Sequence, residues 1–208
     1  MSGRPTSNID INFEEDESYS ITVTPETHWD REWYLPFQEY RAKLVLMLDQ
    51  LLDIIQGNDE YSNFTFDGQT IPIEDYLEIR PDRKEEIEKY VKEGRLSIGP
   101  WYCLPDEYLV SGESIIRNLL LGHKISRRYG RTMKAGYVPD PFGHIAQMPQ
   151  ILAGFNIPSI LFSRGFGNEF EDQNLDMEFY WNAPGKAAQI LGIHLVLGYG
   201  SACNIGDG

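Results

Sequence analysis

The chain has 208 residues, enough to bury a sizeable core as one domain or as one large part of a bigger enzyme. Hydrophobic residues make up 41% and aromatics 12%, which excludes an intrinsically disordered protein. A formal net charge of −14 argues against nucleic acid and anionic membrane as partners, since both need basic surfaces, and suits a neutral or cationic ligand.

Residues 1–18 are polar and acidic, with Glu14, Glu15, Asp16 and Glu17 in a row and no apolar h-region, so a disordered tail without a signal peptide is expected there. Residues 19–208 are expected to form one α/β unit. Ser20 to Thr24 alternates apolar and polar β-formers and predicts a first strand, ended by Pro25. A helix is predicted from Phe37 to Gln56, with Leu44, Leu48, Leu51, Leu52 and Ile55 on one stripe and Gly57 behind it. Phe64-Thr65-Phe66 reads as a second strand, with Asp67-Gly68 as its turn.

Pro72 and Pro81 each suit the first turn of a helix, and Gly94 suits the end of the second. Arg95 to Gly99 predicts a third strand that runs into Trp101-Tyr102. Ser111 is the expected N-cap, with Glu113 in the first turn, of a helix lasting to Tyr129; its core stripe would hold Ile115, Ile116, Leu119 and Leu120. Ala135 to Val138 predicts a fourth strand, residues 145–153 a helix, and Ser159 to Phe162 a fifth strand. Further strands are expected around Phe179-Tyr180-Trp181 and from Gln189 to Val196.

This strand-helix alternation predicts an α/β layer or a barrel-like parallel sheet. Ligands of such folds gather beyond the carboxyl ends of the strands. His28, Asp30, Asp67, Trp101, Asp140 and Arg164 all fall at those predicted ends. Within His28-Trp29-Asp30-Arg31-Glu32-Trp33, an extended backbone points His28 and Asp30 to the same face, and an imidazole with a carboxylate is a usual zinc ligand pair. Asp140-Pro141-Phe142-Gly143-His144 supplies a candidate third ligand. Asp106-Glu107 could serve acid–base chemistry, but fixing a loop or capping the helix from Ser111 is the preferred reading. His144 is expected to buttress its loop, and His123 and His194 to be structural. Cys103 and Cys203 lie far apart without metal-ligand spacing and read as buried reduced thiols. No apolar run reaches about 18 residues, so no membrane span is expected and a cytoplasmic location is the default.

The sequence resembles the retaining α-mannosidases of the glycoside hydrolase family 38 type. The resemblance runs from about Ile21 to Arg164 and rests on six blocks in order. These are His28 to Trp33; Gly94-Arg95-Leu96 with Gly99-Pro100-Trp101-Tyr102 and Pro105-Asp106-Glu107; Ser111-Gly112-Glu113-Ser114; Arg117-Asn118-Leu119-Leu120; Asp140 to His144; and Gln147 to Leu152. The resemblance implies a distorted, barrel-like parallel sheet of the seven-stranded β/α type, the N-terminal catalytic domain of a longer enzyme.

It also implies one zinc ion held by His28, Asp30 and Asp140, with Asp140 doubling as the nucleophile. Trp33, Phe142 and Arg164 would then line the sugar pocket. The family's general acid and its fourth zinc ligand, a histidine, would lie downstream, so the chain alone is expected to be inactive. The implied substrate is an α-mannoside or a mannose-containing oligosaccharide, and the full-length protein could be a homo-oligomer. Retaining hydrolysis sets a nucleophilic carboxylate and an acid about 5 Å apart across the anomeric carbon. A metal-dependent carbohydrate deacetylase and a non-catalytic metal- or sugar-binding module are the alternative readings.

Overall fold

A computed structural model of the chain describes residues 22–168, 172 and 174–200. The tail expected at residues 1–18, Cys203 and the start of the strand predicted at residues 20–24 lie outside them. The first strand, β1 (Glu26–Thr27), follows Pro25 rather than preceding it. Pro25 has no N–H to donate, but its carbonyl accepts from Thr65 N at 2.9 Å, so it opens the ladder. Val23, on the predicted stretch, is 55% exposed and has no buried face to fill.

The remaining order is α1 (Phe37–Gly57), β2 (Phe64–Phe66), α2 (Ile71–Ile79), α3 (Lys84–Glu93), β3 (Leu96–Ser97), α4 (Gly112–Tyr129), β4 (Gly136–Tyr137), α5 (Met148–Gly154), β5 (Ser159–Phe162), β6 (Glu178–Asn182) and β7 (Gln189–His194). All five stripe residues predicted for α1 are buried. Pro81 opens a short 3-10 turn ahead of α3, and Gly94 closes α3 in the left-handed conformation. In α4, Ser111 Oγ accepts from Ser114 N as the expected N-cap. The predicted core stripe of α4 is half right. Ile115 and Leu119 are buried, whereas Ile116 and Leu120 are 37% and 56% exposed. Gly122, His123, Ser126 and Tyr129 continue the buried face instead, so small and polar residues carry part of it.

Among the described residues the strands form two sheets. In one, β1, β2 and β3 run parallel, with Thr65 opposite both Glu26 and Ser97. In the other the order is β4-β5-β7-β6, parallel except for the β6–β7 pair. The single barrel-like sheet expected from the sequence is thus divided into open sheets of three and four strands. Side chains join the two. Trp101, fully buried just past β3, donates from Nε1 to Tyr137 O at 3.1 Å, and the Tyr137 hydroxyl donates to Glu26 Oε2 at 3.3 Å.

Each sheet has its own core, and α4 belongs to both. Ile125 and Tyr129 pack with α1, α2 and α3 residues beside the first sheet, while Ile115 and Leu119 pack with Trp101, Leu152 and Phe162 beside the second. The helix therefore fixes the two sheets against one another. No helix among the described residues is long and apolar enough to cross a membrane.

Candidate active site

A cavity of about 490 Å³ opens beyond the carboxyl ends of the strands. Its wall includes His28, Asp30, Trp33, Asp140, Phe142 and Arg164, all six site residues expected from the sequence. His28, Asp30 and Trp33 follow β1, Asp140 and Phe142 follow β4, and Arg164 follows β5.

His28 is the best-anchored member. Its Nδ1 lies 3.1 Å from Asp67 Oδ1, and Asp67 is fully buried at the turn after β2. Asp67 Oδ2 accepts from Trp29 N at 2.6 Å and from Gln69 Nε2 at 2.7 Å, and Gln69 Nε2 also donates to Trp29 O at 2.8 Å. Asp67 adopts φ +44°, a left-handed turn conformation that aspartate tolerates better than most residues. Burial raises the Asp67 carboxyl above its ordinary range, with His28 pulling the other way. Burial opposes a charge on His28, yet the hydrogen bond and charge of Asp67, then Asp30 and Asp140, raise its imidazole above the ordinary value.

Asp30 Oδ1 stands 3.5 Å from His28 Nε2. Asp140 is paired with Arg164 through Nε, and the Arg164 guanidinium also sits 5.6 Å from the Phe142 ring centroid. Tyr199, past the end of β7, closes the remaining side, its ring 5.0 Å from that of His28. Burial, with Asp140 behind it, raises the Tyr199 hydroxyl. Trp33 and Phe142 are 65% and 67% exposed, so both present apolar faces to a visitor.

His28 Nε2 is buried without a hydrogen-bond partner, whereas Asp140 Oδ1 is held by Arg164 Nε. With Nδ1 held by Asp67, Nε2 offers its lone pair, and a carboxylate behind a ligating histidine is the usual supporting contact in zinc sites. An imidazole and two carboxylates therefore suit zinc chemically. However, no group of three or more potential ligands among the described residues is close enough to hold a metal ion. His28, Asp30 and Asp140 share a cavity without forming a closed ligand set, because Asp140 is engaged by Arg164.

Sequence reading missed how the site is supported. Asp67 was undecided between turn and site, and its residue type fits both. Gln69 gave no signal. His123 and His194 are structural as expected, held by Leu119 O at 2.9 Å and Ser163 O at 3.1 Å. Cys103 is a free thiol that burial pushes up.

These features define an α/β domain of the kind that receives ligands at the carboxyl ends of its strands. Residues 18–202 match the model of the glycosyl hydrolases family 38 N-terminal domain, and the chain belongs to that family. It is 40% identical over 192 residues to a putative mannosylglycerate hydrolase of Halalkalibacterium halodurans, covering 88% of this chain and 21% of that protein. It is 27% identical to alpha-mannosidase 2 of Spodoptera frugiperda, over 78% of this chain and 15% of the relative. The crystal structure of an alpha-mannosidase from Enterococcus faecalis superposes with a TM-score of 0.78 at 39% identity, over 85% of this chain and 20% of that one. The chain thus spans about a fifth or less of the length of these relatives.

Proposed function

We propose that the full-length protein is a retaining α-mannosidase and that this chain supplies its nucleophile. The observation that carries the reading is the convergence of His28, Asp30, Asp140 and Arg164 on one cavity, with His28 Nε2 free of a hydrogen bond there and Asp140 held by Arg164. Asp140 attacks the anomeric carbon of the mannoside and forms a glycosyl ester as the glycosidic C–O bond breaks. The departing oxygen takes a proton from an acid elsewhere in the full-length protein. Water, deprotonated by that same group, then hydrolyses the ester. Arg164 orients Asp140, and Trp33 and Phe142 stack on the C–H faces of the sugar.

His28, Asp30 and Asp140 are the residues that would hold zinc. When bound, zinc supplies Lewis acidity toward the sugar hydroxyl oxygens and a counter-charge for the carboxylates. In the full-length protein the two sheets form two arcs of one distorted barrel. The test is release of the aryl group from an aryl α-mannoside. Asp140→Asn is expected to reduce kcat by at least about a thousandfold while leaving the circular dichroism spectrum unchanged. Activity on another glycoside with none on α-mannosides would overturn the substrate assignment.

A second reading of the substrate, a small mannoside of glycerate, is favoured by the 40% identical relative. Comparing kcat/KM for mannosylglycerate and for a mannobiose separates the two.

A further inference from the structure

Asp106 and Glu107 are neighbours in sequence with opposite surroundings. Glu107 is fully buried, with Oε1 2.8 Å from His144 Nδ1 and Oε2 accepting from Ile145 N at 2.7 Å. His144 carries the connection onward, its Nε2 lying 3.0 Å from the carbonyl oxygen of Arg164. Gly165 lets the chain pass this close, since a Cβ there, at φ +102°, would stand 2.7 Å from His144 Nε2. Glu107 is thereby tied to both loops that carry Asp140 and Arg164.

Asp106 serves none of these contacts. It lines the cavity with His28, Asp140 and Arg164, and its Oδ1 is buried without a hydrogen-bond partner. No ion pair or hydrogen bond reaches its carboxylate among the described residues. Two buried atoms without a hydrogen-bond partner stand out on this one wall once Asp140 is paired with Arg164: His28 Nε2 and Asp106 Oδ1. The first is accounted for by the reading above, and the second is not.

The loop presenting Asp106 is fixed on both sides. Asn118 Oδ1, on α4, accepts from Tyr102 N at 2.7 Å and Cys103 N at 3.3 Å, and Asn118 Nδ2 donates to Cys103 O at 2.7 Å. Gln69 Oε1 accepts from Leu104 N at 3.3 Å. Beyond Asp106, Glu107 provides the other anchor. A carboxylate oxygen held this way, without a donor of its own, is a preorganised acceptor. A pyranose offers donors of the matching kind, its hydroxyl groups.

We propose that Asp106 is a sugar-recognition residue whose Oδ1 accepts a hydrogen bond from one hydroxyl of the bound mannoside. The inference rests on the mannosidase reading and adds a contact from the segment after β3 to those from β1 and β4. It also separates the acidic pair by role: Glu107 builds the loop and Asp106 reads the ligand.

The test uses the zinc-supplemented full-length protein with an aryl α-mannoside and its 2-, 3-, 4- and 6-deoxy analogues. Asp106→Ala is expected to lower kcat/KM on the parent mannoside by about 10–100-fold, the range for a hydrogen bond to a charged group. On one of the deoxy analogues, the wild type and the variant should agree within about twofold, since the partner hydroxyl is already gone. Equal loss on all substrates, or no loss on the parent, would overturn the inference while leaving the function intact. A wild type that turns over no mannoside would overturn the function itself, and the inference with it. If Asp106→Ala does not fold, Asp106→Asn, which keeps one acceptor oxygen, must show a smaller loss confined to the same hydroxyl.

Discussion

Removing either member of the Asp106-Glu107 pair should affect stability very differently. Glu107 shares a buried hydrogen bond with His144 and accepts another from Ile145 N, and leaving a buried donor unsatisfied costs about 1–3 kcal/mol each. Asp106 has no partner to lose, and deleting it removes a buried, unsatisfied oxygen. Urea unfolding of the full-length protein is therefore expected to show a large loss for Glu107→Ala and none for Asp106→Ala. His123 supplies a pH dependence. Burial, with Lys134 and Arg127 nearby, lowers its imidazole below the ordinary value, and Lys134 Nζ stands 3.5 Å from Nε2. The unfolded chain thus binds this proton more readily than the folded one. The contribution is complete above about pH 6.5 and fades as pH falls through the lowered folded value. The difference in unfolding free energy between wild type and His123→Gln, measured from pH 8 to pH 5, should shrink on acidification. At this scale the sequence was informative where a residue follows a strand end, as His28, Asp30, Asp140 and Arg164 do. It was uninformative for Asp67 and Gln69, whose roles depend on segments about 40 residues away meeting across β1 and β2.

Among the elements, α4 shows how periodicity misleads. Its most apolar stripe points partly to solvent at Ile116 and Leu120, while Gly122, His123 and Ser126 face inward. The reason is close approach: a Cβ on Gly122 would stand 2.1 Å from Pro100 O and 2.4 Å from the Trp101 carbonyl carbon. Only a helix face this bare can lie against the backbone of the segment leading to Asp106. Gly122→Ala is expected to destabilise the full-length protein by about 1–3 kcal/mol through overpacking, read as a lower urea midpoint. A larger kcat/KM loss than the fraction unfolded explains would show that the segment itself has shifted. The displaced first strand has a different cause. Alternation marks residues able to form a strand, but Pro25, whose carbonyl joins the ladder, marks where pairing begins. Helix α1 was legible almost to the residue because its apolar stripe is long and regular, and the end of α3 was legible because Gly94 takes up the left-handed conformation there.

At the level of the whole molecule, the alternation of strands and helices pointed to the α/β class, and the residues expected at strand ends line one cavity. The division into two sheets was not legible, because pairing partners are set by three-dimensional packing of segments that read alike in one dimension. The cavity draws from β1, β2, β3, β4 and the segments after β5 and β7, so its integrity depends on both sheets staying in register. In the proposed enzyme His28 and Asp30, after β1, and Asp140, after β4, are the residues that would hold zinc. Dialysis of the full-length protein against a chelator is expected to abolish hydrolysis of the aryl α-mannoside, with recovery on adding zinc. Unchanged activity after verified metal removal would rule out the metal-assisted mechanism.

The double anchoring of the stretch from Tyr102 to Glu107 carries an implication for natural variation. Inserting one residue between Asn118's partners and Glu107 would carry the ligand-facing carboxylate into the buried slot and leave the slot's own carboxylate stranded. A deletion would pull both carboxylates short of their places. Spacing here is thus under tighter constraint than residue identity, and length changes in related proteins should fall in the exposed turn from Tyr108 to Val110, past the second anchor.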